Sequence, residues 1–176
     1  MVRCFVGFLL PEEIKNKIVE LQEKMEKWPM KCKFVEKENL HLCFSFLGEI
    51  DNSKIKEISN KLDLIGKGLK KIEVNIEGLA AIPNQNYIRV IALKILENDL
   101  LNKVFEKIKK EIGGDSKPAH ITLCRVKSVE NKSEVRRKIE DEKISGKFLI
   151  EAIQLIKSEL KKTGPVYSVI HQAELS

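Results

Sequence analysis

The chain has 176 residues, 43% of them hydrophobic, which is enough to fill a compact core and excludes a disordered chain. Its net charge of +6 and pI near 9.0 suit a partner that carries phosphates, although many lysines alternate with glutamates on predicted helix faces and only solvate them. Four cysteines with no C-x-x-C spacing read as reduced thiols of a cytoplasmic protein, and the apolar start, Met1 to Leu10, is too short to span a membrane.

Val2 to Leu10 is rich in β-branched and aromatic residues, the pattern of a central strand. Pro11-Glu12-Glu13 opens a helix, with proline pre-set for the first turn, two acids at the positive end of the dipole, and Ile14, Ile18, Leu21, Met25 and Trp28 down one side. That stripe is core, Trp28 included, and Pro29 ends it. Cys32 to Val35 begins a short strand leading through Glu36 to Asn39 into a strand that opens with His41. After Gly48, Asp51-Asn52-Ser53 caps a helix bearing Ile55, Ile58, Leu62 and Ile65, stopped by the glycines at 66 and 68. Lys70 to Leu79 and Tyr87 to Ile95 read as strands joined by a turn-rich connection, Ala80 to Asn86, suited to substrate contacts. A third helix, Asn98 to Ile112, buries Leu101, Val104, Phe105 and Ile108 and breaks at Gly113-Gly114. Pro118 to Val126 is a second strand opening with a histidine, His120. A charged helix from Asn131 to Glu140, a long strand region from Lys147 to Leu160 and a last strand from Val166 to Gln172 complete the chain.

Two of the three histidines therefore sit in matching settings, 79 residues apart, and the elements around them repeat in outline, as in a degenerate duplication. Side chains alternate across a strand, so His41, Cys43 and Ser45 share one face, His120, Thr122 and Cys124 share another, and Leu42, Phe44, Ile121 and Leu123 point into a core. Each strand presents an imidazole with a small polar group. By strict alternation Arg125 points away from His120; a bulge or the strand's end would bring it back.

His41-Leu42-Cys43-Phe44 and His120-Ile121-Thr122-Leu123 resemble the paired H-x-[T/S]-x motifs of the 2H phosphoesterases. Val2 to Pro11, Glu38 to Leu42 with Phe46 to Glu49, His120 to Lys127, and Lys157 to Leu160 with Gly164 to Tyr167 narrow the resemblance to the RNA 2',3'-cyclic phosphodiesterases, also called 2'-5' RNA ligases. Cys43 departs from the family's Thr or Ser. The resemblance implies an α+β, bilobal, pseudo-two-fold fold, in which two antiparallel β-sheets line a central cleft with helices outside. It implies that residues 1–176 form a single domain of two similar intertwined lobes, with one motif on each wall. The implied activity is hydrolysis of RNA 2',3'-cyclic phosphate ends, or of cyclic nucleotides, to 2'-phosphomonoesters by a monomer without cofactor or metal, with reverse 2'-5' joining open to it. His41 is then the acid that protonates the 3' oxygen and His120 the base that activates water, with a phosphate-binding arginine at Arg125.

Opening a cyclic phosphate takes one group to accept a proton from water and another to give one to the departing oxygen, and imidazoles on opposite sides of phosphorus do both. Thr122, Arg125 and Cys43 would meet the charge on the phosphoryl oxygens, the thiol being the weakest donor. Arg3, Tyr87 and Arg89 are secondary candidates for reaching RNA. A zinc site built on His41, Cys43, His120 and Cys124 is disfavoured, since Cys124 lies about 13 Å beyond His120 on an extended strand. An RNA-end or nucleotide-binding module with weakened catalysis is the alternative. His171 lacks a small polar partner and reads as an edge-strand residue.

Overall fold

The computed structural model describes residues 1–176. In chain order the elements are β1 (Val2–Leu9), α1 (Glu12–Met25), β2 (Met30–Phe34), a 3-10 turn at Lys37–Asn39, β3 (His41–Ile50), α2 (Lys54–Lys67), β4 (Ile72–Asn84), β5 (Tyr87–Ile95), α3 (Asp99–Glu111), β6 (His120–Val129), α4 (Lys132–Asp141), β7 (Ser145–Ile150), β8 (Ala152–Lys161) and β9 (Gly164–Glu174). Two antiparallel sheets result, ordered β3-β1-β8-β9 and β2-β6-β5-β4-β7. β1 and β5 are both interior strands, and each carries a histidine strand on one side and a long strand, β8 or β4, on the other. The N- and C-terminal strands thus build one wall and the middle of the chain builds the other.

The helices lie outside. Against the first sheet, α3 packs on β3 and α2 on β8 and β9; against the second, α1 meets β7 and α4 meets β4. Their apolar stripes supply the burial predicted from periodicity, Ile14, Ile18, Leu21 and Met25 from α1 and Leu101, Val104 and Ile108 from α3, although Phe105 is only half-buried; the charged helix α4 also buries Val135 and Ile139, which periodicity had not singled out. Asn98 and Asn131 cap α3 and α4, their side-chain oxygens accepting from Leu101 and Glu134 backbone N–H. The buried residues of both sheets form one continuous cluster, so neither half owns a separate core. No helix is long and apolar enough to cross a membrane.

Several boundaries differ from expectation for local reasons. α1 ends at Met25, and Trp28 reaches the core from the following turn, where its N–H donates to the Met25 carbonyl. β2 does not run on beside β3; it crosses to the other sheet and pairs with β6, placing Lys33 opposite Arg125 and Phe34 opposite Cys124. Gln22 holds that crossing, its buried amide donating to the Val35 and Leu123 carbonyls at 3.0 and 3.1 Å. The expected Ala80 to Asn86 connection is mostly strand. β4 bulges at Gly78 (φ 76°) and continues paired to β5 as far as Asn84, leaving a tight turn at Gln85 and Asn86. Pro83 is tolerated because it adjoins a register shift on a stretch whose outer edge β7 no longer covers. The single strand region expected from Lys147 to Leu160 is two strands that part at Glu151 into different sheets. A mostly apolar stretch interrupted only by Glu151 and Gln154 does not by itself show a change of sheet.

Candidate active site

Both histidine strands carry the same irregularity. Along β3, Cys43 opposes Gly7 and Ser45 opposes Val6, so Phe44 is an extra residue. Along β6, Thr122 opposes Ala92 and Cys124 opposes Ile91, so Leu123 is extra. Each bulge falls three residues after the histidine and reverses the alternation beyond it. Ser45 and Cys124, expected on the histidine faces, are fully buried on the core side instead. Phe46 and Arg125 take the cleft face in their place. Strict alternation was the wrong rule for these positions, and the bulge is what aims Arg125 at the site.

The two imidazoles are anchored alike. His41 Nδ1 lies 2.7 Å from the Asn39 carbonyl and His120 Nδ1 lies 2.8 Å from the Pro118 carbonyl, each the residue two places back. A carbonyl can only accept, so each Nδ1 carries the proton and each Nε2 is left for the cleft. The neighbourhoods then diverge. His41 packs against Phe5, with centroids 4.7 Å apart, and meets Tyr167 edge to face at 5.4 Å; Phe5 and Tyr167 touch at 5.0 Å. Gly7 makes room for this, since a Cβ there would lie 2.5 Å from the Leu42 carbonyl oxygen and 3.2 Å from the Phe5 ring. Burial holds the His41 pKa below the ordinary imidazole value; the Asn39 carbonyl opposes that shift, and the charges of His120 and Arg125 add to it. β3 and β6 pack against each other, which sets His120 and Arg125 close enough to His41 to act on its ionisation. Of the other predicted site residues, Thr122 lies two places beyond His120 on β6 and Cys43 two places beyond His41 on β3.

On the second wall, Thr122 is half-exposed and Arg125 exposed, and cross-strand pairing puts Lys94 opposite His120 and Lys33 opposite Arg125. On the first, burial pushes the Cys43 thiol up to about 11, so it is neutral at physiological pH and acts only as a weak donor. Arg3 lies 4.8 Å above the Phe46 ring at the rim of the site. Tyr87 and Arg89 pair with each other at 5.7 Å by the β4–β5 hairpin. Cys124 lies in the core, and no cluster of three or more His, Cys, Asp or Glu side chains is placed to hold an ion. His171 is on the edge strand β9, with Nε2 2.8 Å from Asp63 Oδ1. A surface cavity of about 790 Å³ lies elsewhere, between β4 and the end of α4.

The segment leading into the second motif is docked on the bulge of the first. Phe46 and Asp115 exchange backbone hydrogen bonds of 2.8 and 2.9 Å, Ser116 Oγ donates to the Phe44 carbonyl at 3.0 Å, and Ser45 Oγ donates to the Gly113 carbonyl. Gly114, with φ of 90°, permits the approach, because a Cβ would collide with Ser45 Oγ and lie 2.8 Å from the Phe46 carbonyl oxygen. This clamp relates one wall to the other.

The LigT-like phosphoesterase family profile matches residues 8–92, which include His41. A protein of Methanocaldococcus jannaschii named RNA 2',3'-cyclic phosphodiesterase is 38% identical over 97% of this chain and 99% of its own length. The chain belongs to the LigT-like phosphoesterases. A relative of the same name from Methanothermobacter thermautotrophicus is 31% identical over 95% of both chains. Among solved structures, a Thermus thermophilus protein superposes with a TM-score of 0.84 at 24% identity, covering 98% of this chain and 97% of its own. E. coli LigT in apo form gives 0.76 at 19% identity, covering 99% of this chain and 98% of its own. The LigT-like phosphoesterase fold is thus kept where most of the sequence is not. Sequence reasoning missed Phe5, Tyr167, Asn39 and the Gly114 clamp as parts of this site, although the Gly164 to Tyr167 run had already marked the stretch that carries Tyr167.

Proposed function

We propose that this chain hydrolyses RNA 2',3'-cyclic phosphate ends to 2'-phosphomonoesters, the activity for which its relatives are named, using His41 and His120 as the acid–base pair. The observation that carries the reading is the matched anchoring of the two rings, which leaves both Nε2 atoms free on strands that pack together from the two sheets, with the charge of Arg125 acting on His41. His120 Nε2 takes a proton from water as its oxygen attacks phosphorus, the P–O3' bond breaks in line, and His41 Nε2–H gives its proton to O3'. The products are a 2'-phosphate and a 3'-hydroxyl. A 5'-hydroxyl in the place of water yields a 2'-5' linkage by the same transfers. Arg125, Thr122 and, more weakly, Cys43 hold the phosphoryl oxygens, and the carbonyls of Asn39 and Pro118 steady each ring when it is charged.

Desolvation alone favours neutral His41 and so the accepting role; an anion bound between the rings reverses that balance by favouring the imidazolium. The roles are separable with a substrate whose bridging 3' oxygen is sulfur, a leaving group that needs no acid: it rescues His41→Ala and leaves His120→Ala inactive. Rescue of His120→Ala instead exchanges the roles.

We read residues 1–176 as one domain of two similar intertwined lobes acting as a monomer; the continuous core supports the single domain. The unpaired thiols at 4, 32, 43 and 124 support a reducing, cytoplasmic compartment. The test is a short RNA ending in a cyclic phosphate: turnover to the 2'-phosphate, undiminished by EDTA, is expected. Binding of the RNA without turnover would make the protein an RNA-end binder, and turnover lost in EDTA and restored by zinc would make it a metalloenzyme.

A further inference from the structure

Tyr167 occupies a place that its position in sequence does not announce. It sits near the start of β9, the edge strand on the far side of the first sheet from β3. Its ring nevertheless meets His41 at 5.4 Å and 86° and Phe5 at 5.0 Å and 69°. The sheet curls enough to bring its two edges together, and Asn39 closes the curl. The Asn39 side chain, 4% exposed, donates from Nδ2 to the Pro165 carbonyl at 2.8 Å, while its own carbonyl accepts from His41 Nδ1 at 2.7 Å. One residue therefore fixes both the catalytic ring and the strand that lays Tyr167 across it.

Nearly perpendicular to the His41 ring and at 69° to Phe5, Tyr167 is gripped at its body, which leaves the hydroxyl as its free end. The groups that act on that hydroxyl electrostatically are Arg125, Cys43 and Arg3, in that order after burial, which raises its pKa and keeps it protonated. Arg125 and Cys43 are the groups assigned above to the phosphoryl oxygens. A phenol is a stronger and better oriented donor than a thiol, and this wall has a thiol where its counterpart has the Thr122 hydroxyl.

Resting on the proposed phosphodiesterase reading, we infer that Tyr167 is a phosphate-contacting residue, its hydroxyl donating to the phosphoryl oxygen on the first wall and supplying what Cys43 supplies poorly. Asn39 is its positioning residue. The rest of the ring has a second task, which is to keep water off His41.

Tyr167→Phe separates the two, because it keeps both ring contacts and deletes only the donor. Cyclic-phosphate RNA turnover by Tyr167→Phe is expected to fall in kcat by roughly 10- to 100-fold, the usual effect of losing one hydrogen bond to a charged group. The limb of its pH profile that titrates with His41 should stay where it is in the wild type. In Tyr167→Ala and Asn39→Ala that limb moves to higher pH as His41 gains water. An unchanged kcat in Tyr167→Phe overturns the inference, and so does a lowered kcat accompanied by the Tyr167→Ala limb shift, which would make the hydroxyl only a support for His41. Incorporating 3-fluorotyrosine at 167 is the second probe, since it preserves ring, fold and donor; its more acidic phenol should change kcat, and no change would count against the contact. Absence of turnover in the wild type itself would defeat the underlying reading, a result distinct from any of these.

Discussion

The two walls of the cleft are built on one plan and finished differently. Both place a histidine at the start of a strand, tie its Nδ1 to the carbonyl two residues back and bulge three residues later. On the His41 wall the bulge returns Phe46 to the cleft, and Phe5 and Tyr167 shield the imidazole. On the His120 wall the bulge returns Arg125, and Lys33 and Lys94 stand opposite the site residues. One wall supplies desolvation and the other supplies charge. In the proposed reaction the two together would let an anion bind and a buried imidazole still be protonated, a division of labour that two identical walls would lack.

The plan common to both walls is tested by the largest effect. His41→Ala and His120→Ala are each expected to lower single-turnover hydrolysis by roughly 10²- to 10⁴-fold, with binding of the RNA end retained. A wall that tolerates loss of its histidine would break the comparison. On the charged wall, Arg125→Ala should lower kcat by about 10²-fold, and Arg125→Lys should recover only part, because an ammonium cannot make the paired contact of a guanidinium. A full recovery would reduce Arg125 to a point charge.

The clamp between the walls should respond in stability. Gly114→Ala forces a methyl against Ser45 Oγ and the Phe46 backbone at a φ of 90°, and is expected to lose about 2 kcal/mol or more in urea unfolding. A neutral outcome would show that the loop can move without disturbing the bulge. The desolvated wall should respond to pH. Because burial holds the His41 pKa below its ordinary 6.5, the limb of kcat/KM that titrates with this ring moves to higher pH, toward that value, in Phe5→Leu. The same depression makes the unfolded chain the better proton binder, so His41's share of stability is present above pH 6.5 and is lost as pH falls. The smallest effect is expected at the one mismatched position: Cys43→Thr should leave activity unchanged or raise it a few-fold. A collapse with the fold intact would show that the thiol does something a hydroxyl cannot.

The sequence made the two walls legible because their signals are local. A histidine opening an apolar strand, repeated with a small polar residue two places on, is readable from alternation alone, and so are the stripes of α1 and α3. Alternation failed at Ser45, Cys124 and Arg125, since a bulge depends on how a strand pairs and leaves no mark in its own residues. The long reaches were hidden for a similar reason. Tyr167 is 126 residues from His41 and meets it only because the sheet curls, and β2 crosses to β6 through hydrogen bonds from Gln22. The change of sheet at Glu151 lies inside a mostly apolar stretch that either sheet would accept.

The claim beneath all of this is that His41 and His120 share one phosphate. It is tested most directly by an NMR titration of the three histidines with and without a saturating 2'-nucleoside monophosphate. The account predicts that a single bound phosphate raises the pKa of His41 and His120 together and leaves His171, paired with Asp63, where it was. A response from only one of the two, or from each at a different stoichiometry, would contradict it.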